Sequence, residues 1–571
     1  MTDSASETMR RGAMQRFLDI VEVVGNKLPH PTMMFIALIG IVLAVAALLS
    51  GAGVVVDTAT GSYPINNLIG NGTVDLQNPR NGEVMASYSS GWNYLLSTLT
   101  PNFTGFAPFG MVLVIMIAIG VAEHGGLIGT AMRKLVLSAP TRLIAPTVIF
   151  AGVISNIAAD AGYLVMIPLG PIVFMSVGRH PLAGLAAAFA GVSGGFSANL
   201  VVSSLDPLLG GFTQAAAATG DGLLGTNFAE TMNIATMNYY FLVVSTFLVV
   251  GVGTIVVEWI VEPHLGTYDT TNAPLDEQMP DEPSRITDDE ARGLRVAGIV
   301  FLAYAALVVW MTVPVKSAIP LLGVLSTASL PVEALAAIEA RYGGVGVTHA
   351  PLFETQIIVS VLFFMFLLPG LGYGIASGKF RSGDDFVASM ENSVRLMVSF
   401  IVLVFFMAQF VAYFNASNIG VLLAMQGAEL LELVPTDTGV GFTGLIFGFV
   451  FLAGFINLFM GSASAKWAIL APIFVPVMMT VDITPAATQM LYRIGDSSTN
   501  VITPLMTYFA FVMAVGGKYS PNFGIGSLAS LMIPISIAFM LSWTLLFLIW
   551  AFAGLPLGPG SPVFFAPPIV N

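Results

Sequence analysis

The sequence predicts an all-α integral membrane protein built from nine transmembrane helices plus two re-entrant helical hairpins, with an inverted repeat that contains two broken helices. Three observations predict it. Of 571 residues, 56% are hydrophobic and 9% are charged, where a soluble domain carries about 25% charged residues. Apolar segments near the roughly 20 residues that a helix needs to cross about 30 Å of hydrocarbon recur between positions 32 and 550. Spanning strands would show weaker, alternating segments of about ten residues. Lastly, two long apolar stretches carry small and polar residues in their middle, where lipid tolerates non-helical backbone only if protein or a wet cavity surrounds it.

Each element follows in order. Residues 1–31 hold Asp3, Glu7, Arg10, Arg11 and Arg16 ahead of any apolar run, which does not resemble a cleaved leader. Phe17, Leu18, Val21 and Val24 fall on one helical face of 14–27, so an interfacial helix is expected there. Full spans are expected at 32–55, 106–121, 182–204, 237–257, 296–315, 355–374, 396–414, 485–515 and 526–552. The stretches 143–177 and 440–480 read as hairpins whose tips meet inside the protein.

Lysine and arginine favour cytoplasmic loops. With the N-terminus inside, fifteen of the twenty basic residues fall inside and only Arg80, Lys316 and Arg341 outside, while Lys466 and Arg493 lie at membrane depth. Arg142 and Arg179 flank the first hairpin on one side, so it must return to that side. The plan puts the C-terminus outside.

A span, a short amphipathic piece, a hairpin and an interrupted span occur at 106–204 and again, oppositely oriented, at 396–515. Inverted repeats of this kind place one site between two halves of an alternating-access carrier. The remaining divisions are 1–31, 32–105 with a periplasmic loop, 205–395 as scaffold, and 516–571 with the last span. The loops 57–102 and 316–352 are longer than a minimal carrier needs.

Composition excludes several chemistries. The formal net charge is −13, but the acids cluster in loops such as 269–290 and read as solvated surface. Without cysteine there is no disulfide, thiolate metal site or cysteine nucleophile. Five histidines without metal-ligand spacing argue against a zinc enzyme, and no enzymatic function is expected.

Four interruptions place polar groups at membrane depth: the tips 155–160 and 461–467, and the breaks 194–199 and 495–500. Freed carbonyls there suit a sodium ion, and half-helix N-termini suit an anion. Asp496 and Asn500, spaced i, i+4, offer a carboxylate and an amide oxygen to a cation if helical, or simply cap a kink. Arg493, three residues before Asp496, either pairs with it or holds a substrate carboxylate through its fork. Trp467 offers an aromatic face or plain packing. Asn156 coordinates an ion or braces its turn, with Asp160 four residues on. Asp206 faces the cavity or outside water. Pro485 and Pro504 bracket the second break. Lys466 takes no specific role.

The stretches 155–163, 194–207, 457–472 and 492–504 resemble the aminobenzoyl-glutamate transporter family, within a wider ion-transporter group that includes divalent-anion sodium symporters. The resemblance spans about 14–550. It implies a homodimer of nine-span protomers in the lipid bilayer of the bacterial inner membrane, each with an inner transport core and outer scaffold. It also implies transport of p-aminobenzoyl-glutamate or export of sulfonamide antimetabolites. The family's pathway positions fall on Asp206, Asn457, Ser464, Trp467, Pro485, Arg493, Asp496 and Pro504, and its sodium positions on Asn156, Asp496 and Asn500. The second tip reads Ser462-Ala463-Ser464, unlike the paired Ser-Asn-Thr tips of the dicarboxylate relatives. The resulting expectation is a sodium-coupled carrier of an aromatic carboxylate, with a proton-driven sulfonamide exporter second and a gated ion channel as the alternative of another class.

Overall fold

The structure is a computed structural model that describes residues 29–58, 61–77, 83–158, 161–268, 286–312, 355–431 and 439–565. The expected interfacial helix at 14–27, Asp160 and the loop 316–352 lie outside the described residues.

Helix α1 (Pro31–Gly51) starts behind a His30 cap with proline in its first turn, the position where the missing N–H costs nothing. The chain then departs from the all-α expectation. Strands β1 (Val55–Thr58) and β2 (Gly61–Pro64) pair antiparallel, as do β3 (Val74–Gln77) and β4 (Val84–Tyr88). Alternating threonine, valine, tyrosine and aspartate in this segment fit a half-buried pleated ribbon. Helix α2 (Gly91–Thr104) closes the excursion.

Next come α3 (Ala107–His124), the short α4 (Leu127–Leu137), α5 (Ile144–Ser155) and α6 (Ala161–Ser176). Helix α7 (Pro181–Phe189) runs into a π-turn at Ala190–Gly194. After an irregular stretch, α8 (Leu205–Leu224) resumes. The sequence reading ends this span at Ser204; the structure instead begins a buried 20-residue helix at the next residue. This helix is rich in alanine, glycine and threonine and mostly buried against protein, so its hydropathy is low and it gives little lipid-facing signal.

Helices α9 (Tyr239–Val256), α10 (Asp288–Thr312), α11 (Thr355–Ala376) and α12 (Gly383–Leu396) follow. Then come α13 (Val398–Ala416), α14 (Ile419–Leu431), α15 (Gly439–Asn457) and α16 (Ala463–Met479). The chain finishes with α17 (Pro485–Asn500), α18 (Phe509–Tyr519) and α19 (Ile525–Phe552). Among the described residues, eight helices are long and apolar enough to cross a membrane, or nine if a bent pair, Leu127–Leu137 with Thr141–Ser155, counts as one span.

The second break also differs from expectation. Residues 495–500 are helical, and the interruption falls after Asn500, before α18 begins at Phe509. Serine, threonine and asparagine signalled a break, but here Ser498 and Thr499 bond back to the carbonyls of Ile494 and Gly495 (2.6 and 2.8 Å), which keeps them inside a helix.

Glycines let neighbouring backbones approach closely at two places. A Cβ on Gly191 would meet the Ile149 carbonyl oxygen of α5 at 2.4 Å, and one on Gly495 would meet the Val450 carbonyl oxygen of α15 at 2.3 Å. Both contacts are backbone against backbone, which only glycine permits. Helices α6 and α16 each carry two prolines, Pro168 and Pro171 in α6, Pro472 and Pro476 in α16. Helix α11 packs between α10 and α3, away from α16 and α17, which with α8 form the polar interior. Leu302, Val309 and Trp310 of α10 remain exposed, the signature of a face turned to lipid.

Candidate substrate and ion site

Helix α17 is buried along its whole length although few of its residues are apolar. Its polar side chains therefore need partners, since an unpaired polar group in a dry interior is unfavourable. Those partners come from α8, the end of α15 and the start of α16.

Two buried ion pairs organise the site. The Arg493 Nη1 donates to Asp206 Oδ1 at 2.6 Å, and both side chains are at most 4% exposed. Asp206 sits in the first turn of α8 and faces this interior rather than outside water. Its Oδ2 accepts from the Ser203 N–H (2.7 Å) and Oγ (3.0 Å), so the carboxylate also closes the end of the first break. The second pair joins Lys466 Nζ to Asp496 Oδ1 at 2.5 Å, with both side chains at most 2% exposed. The Arg493–Asp496 pairing, one of the two alternatives open from the sequence, is thus not formed: three residues apart on one helix, each reaches a different element. Arginine bonds across to α8, and the shorter path to Asp496 is taken by Lys466 one turn into α16.

Asn457, at the end of α15, knots the second pair into place. Its Nδ2 donates to the Asp496 carbonyl (2.8 Å), Thr499 Oγ1 (2.9 Å) and Asn500 Oδ1 (2.8 Å), while its Oδ1 accepts from Lys466. Asn500 Nδ2 lies 3.5 Å from Asp496 Oδ2. Asp496 and Asn500 are therefore brought together as their i, i+4 spacing predicts, and Asn457 joins them. Asn156 is 7% exposed, and neither atom of its amide has a hydrogen-bond partner in the protein.

Trp467 is fully buried. Its ring stacks on Tyr492 with centroids 4.6 Å apart, and its Nε1 donates to Thr213 Oγ1 at 2.9 Å. Thr213 Oγ1 also bonds Gln489 Oε1 (3.1 Å), and Tyr492 donates to the Ala463 carbonyl at 2.7 Å. The indole thus ties α16 to α8 and α17. Pro485 is the first residue of α17, roughly 12 Å along the axis from Arg493. Pro504 is half-buried in the break after α17.

A cavity of about 560 Å³ opens beside these groups, lined among others by Tyr163, Phe196, Ser462, Ser464, Asn500 and Tyr508. It brings Ser464 and Asn500 to its wall and leaves Arg493, Asp206 and Trp467 behind it. Ser462 caps α16 by accepting from the Ala465 N–H (3.3 Å), so the first amides of that half-helix face the cavity end.

Arg493 is the group with unspent capacity. Its Nε and Nη2 are buried and make no hydrogen bond within the protein. A carboxylate presents two oxygens at the spacing of such a fork. Lys466, Thr213, Ser203 and Tyr492 complete the site without having been singled out as contributors. For Lys466 the signal was present, because an ammonium at membrane depth is too unfavourable to be incidental. The hydroxyls carry no comparable mark in sequence.

The model of the AbgT transporter family matches residues 16–565. The p-aminobenzoyl-glutamate transport protein of Escherichia coli (strain K12) is 33% identical over 550 residues, 95% of each chain. The crystal structure of the Alcanivorax borkumensis YdaH transporter, described as having an unusual topology, superposes with a TM-score of 0.78 at 36% identity, covering 93% of this chain and 100% of that one. Neisseria gonorrhoeae MtrF, described as illuminating a class of antimetabolite efflux pumps, gives 0.78 at 39% identity, covering 96% and 100%.

Proposed function

The chain belongs to the AbgT family of membrane transporters, and from that premise we propose that it carries p-aminobenzoyl-glutamate, or a related aromatic carboxylate, by ion-coupled alternating access. The observation that carries this reading is the Arg493 guanidinium, fully buried, bonded through one nitrogen and holding two donors in reserve. An anionic substrate completes its fork; a neutral one leaves it unsatisfied.

The architecture we propose counts nine crossings, α1, α3, the broken α7–α8, α9, α10, α11, α13, the broken α17–α18 and α19. The pairs α5/α6 and α15/α16 are then re-entrant hairpins. The recurrence of a glycine against the first arm, a proline pair in the second arm and a proline-led broken helix supports an inverted repeat of these elements. The N-terminus lies in the cytoplasm and the C-terminus in the periplasm, and two such protomers form the transporter.

Sodium is the proposed coupling ion. The Asn156 side-chain oxygen, buried and without a partner in the protein, fits a hard cation that prefers oxygen ligands. Asp496 and Asn500 fit as further ligands, with one condition set by geometry: the Lys466 ammonium holds Asp496 Oδ1, so a cation there displaces it. A proton-driven efflux of sulfonamide antimetabolites is the second reading, favoured by the 39% identity to MtrF over nearly the whole chain.

Proteoliposomes loaded with the purified protein test the first reading. Saturable uptake of labelled p-aminobenzoyl-glutamate, stimulated by an imposed sodium gradient, is the expected result. Flux of a sulfonamide that responds to a proton gradient alone selects the second, and non-saturable flux without substrate points to a channel.

A further inference from the structure

The side chains of α17 differ in what they leave unbonded. Ser498 and Thr499 return their hydroxyls to the helix backbone. Ser497, fully buried between them and Asp496, has an Oγ with no hydrogen-bond partner in the protein. Positions 493, 497 and 500 are spaced i, i+4 and i+7, so they share one helical face within an arc of roughly 60°. That face runs from the unspent guanidinium of Arg493, past the unspent hydroxyl of Ser497, to Asn500 on the wall of the 560 Å³ cavity.

At the cavity, two rings lie parallel. Tyr163, near the start of α6, stacks on Tyr508, in the segment that follows α17, with centroids 4.7 Å apart and planes 8° from parallel. Both line the cavity. The Met506 sulfur beside them accepts from Ser193 Oγ in the π-turn at 3.0 Å and lies 3.7 Å from the Tyr163 hydroxyl. A Cβ on Gly461 would stand 2.4 Å from the Leu505 carbonyl oxygen, so the same segment also rests on the second hairpin tip. Whatever lies in this cavity touches elements from both halves of the chain.

We propose that Arg493, Ser497 and Asn500 form a carboxylate track along one face of α17, and that the stacked rings of Tyr163 and Tyr508 at its open end take the aromatic ring of the substrate. The inference rests on the transport reading above and extends it to the substrate's pose. Trp467 is committed to Tyr492 and Thr213, whereas the Tyr163–Tyr508 stack borders open space. The track is roughly 10 Å long from Arg493 to Asn500, suited to an elongated aroyl amino acid lying along the helix with its acid end inward. Ser497 is then a rung, donating to a carboxylate oxygen on its way to or at the guanidinium.

Binding of labelled p-aminobenzoyl-glutamate to the purified full chain, beside thermal unfolding in detergent, tests this. Ser497→Ala should raise Kd roughly tenfold, the loss of a hydrogen bond to a charged group. Its unfolding midpoint should hold or rise, because the hydroxyl removed had no partner in the protein. Ser498→Ala, whose hydroxyl serves its own helix, should leave Kd alone. Tyr508→Ala should raise Kd for the aromatic ligand by about the same factor, Tyr508→Phe should retain affinity, and competition by N-acetylglutamate, which has no ring, should respond to Ser497→Ala but not to Tyr508→Ala.

Wild-type affinity in both Ser497→Ala and Tyr508→Ala overturns the track while leaving the transport reading in place. A Ser497→Ala variant that loses stability and affinity together assigns the residue a structural role and also overturns it. Failure of the wild-type chain itself to bind the ligand overturns the transport reading, and the track with it.

Discussion

Arg493 and Asp206 meet through a single hydrogen bond of 2.6 Å, Nη1 to Oδ1, although a guanidinium and a carboxylate can form two. The pairing joins α17 to the first turn of α8, just past the irregular stretch that follows α7. One nitrogen neutralises Asp206; the other two stay available for an anion. On the proposed transport reading, substrate charge is read by a residue already anchored in place.

Asp206→Asn should be worse for the fold than for recognition. It leaves the Arg493 charge buried without a counter-ion, a change that costs about 3–5 kcal/mol. Thermal unfolding in detergent should show a large drop for Asp206→Asn and a smaller one for the double variant Asp206→Asn/Arg493→Gln. Additive losses in this cycle would show that the two residues are not coupled.

Lys466 and Asp496 obey the same logic independently. Lys466→Met strands a carboxylate, again at about 3–5 kcal/mol, while Lys466→Met/Asp496→Leu removes both charges and should recover most of it. Asp496→Asn keeps the shape and should abolish any sodium dependence of transport. Sodium dependence equal to wild type in that variant would move the coupling site away from Asp496, with Asn156 the next residue to change.

Trp467 separates packing from recognition. Trp467→Ala opens a void in a fully buried stack and should cost about 3–5 kcal/mol. Trp467→Phe keeps a ring against Tyr492, loses the bond to Thr213, and should cost about 1 kcal/mol for that bond. A Trp467→Ala protein with wild-type stability and weakened substrate binding would return the indole to the substrate.

Much of this was legible in the sequence, and the reasons are specific. The spans could be read because lipid demands roughly 20 apolar residues in a row, and α9, α13 and α19 fall close to the expected ranges. Helix α8 was missed because it is sheathed by protein, so small residues replace the hydrophobic signal. The polarity of residues 495–500 mimics a loop, yet Ser498 and Thr499 bond to the backbone of their own helix and Asn500 accepts from Asn457. Asp496 and Asn500 can be grouped from spacing and depth, Asn457 only through the family resemblance, and which cation meets which acid cannot be read at all. That choice depends on how α16 and α8 approach α17, a distance no local pattern encodes.

His180 gives a pH signature outside the spans. It caps α7, its Nδ1 accepting from the Leu182 N–H at 3.2 Å. Burial lowers its pKa below 6.5, outweighing the opposing pull of Glu262. A histidine whose folded pKa is depressed binds fewer protons folded than unfolded, so its stability contribution is complete above 6.5 and is lost as pH falls through the folded value. His180→Asn, which keeps an N-cap acceptor, should flatten stability against pH in the window just below 6.5. An unchanged curve would show that the ring does not titrate on unfolding.

Orientation is the last expectation, and the ends of the helices sharpen it. On one side Arg179 pairs with Glu258 and Glu262 (3.2 and 2.5 Å), and Arg133 with Glu290 (2.6 Å), drawing the base-rich ends of several elements together. At the other end the C-terminal segment straps down the start of α17: the Thr484 N–H and Oγ1 donate to the carbonyls of Val563 (3.0 Å) and Pro562 (2.7 Å), and the Phe565 N–H to that of Asp482 (3.2 Å). The strap fixes the C-terminal end of α19, the far end of α16 and the start of α17 on one side. Because basic residues favour the cytoplasm, the strapped side should be periplasmic. The chain has no cysteine, so single cysteines can report without background. Leu555→Cys, at a position 43% exposed beside the strap, should react with a membrane-impermeant maleimide in cells with a permeabilised outer membrane. Arg381→Cys, exposed in the loop before α12, should react only after the inner membrane is opened. The reverse pattern would invert the whole plan, and labelling of both positions in intact inner membranes would break the odd number of crossings.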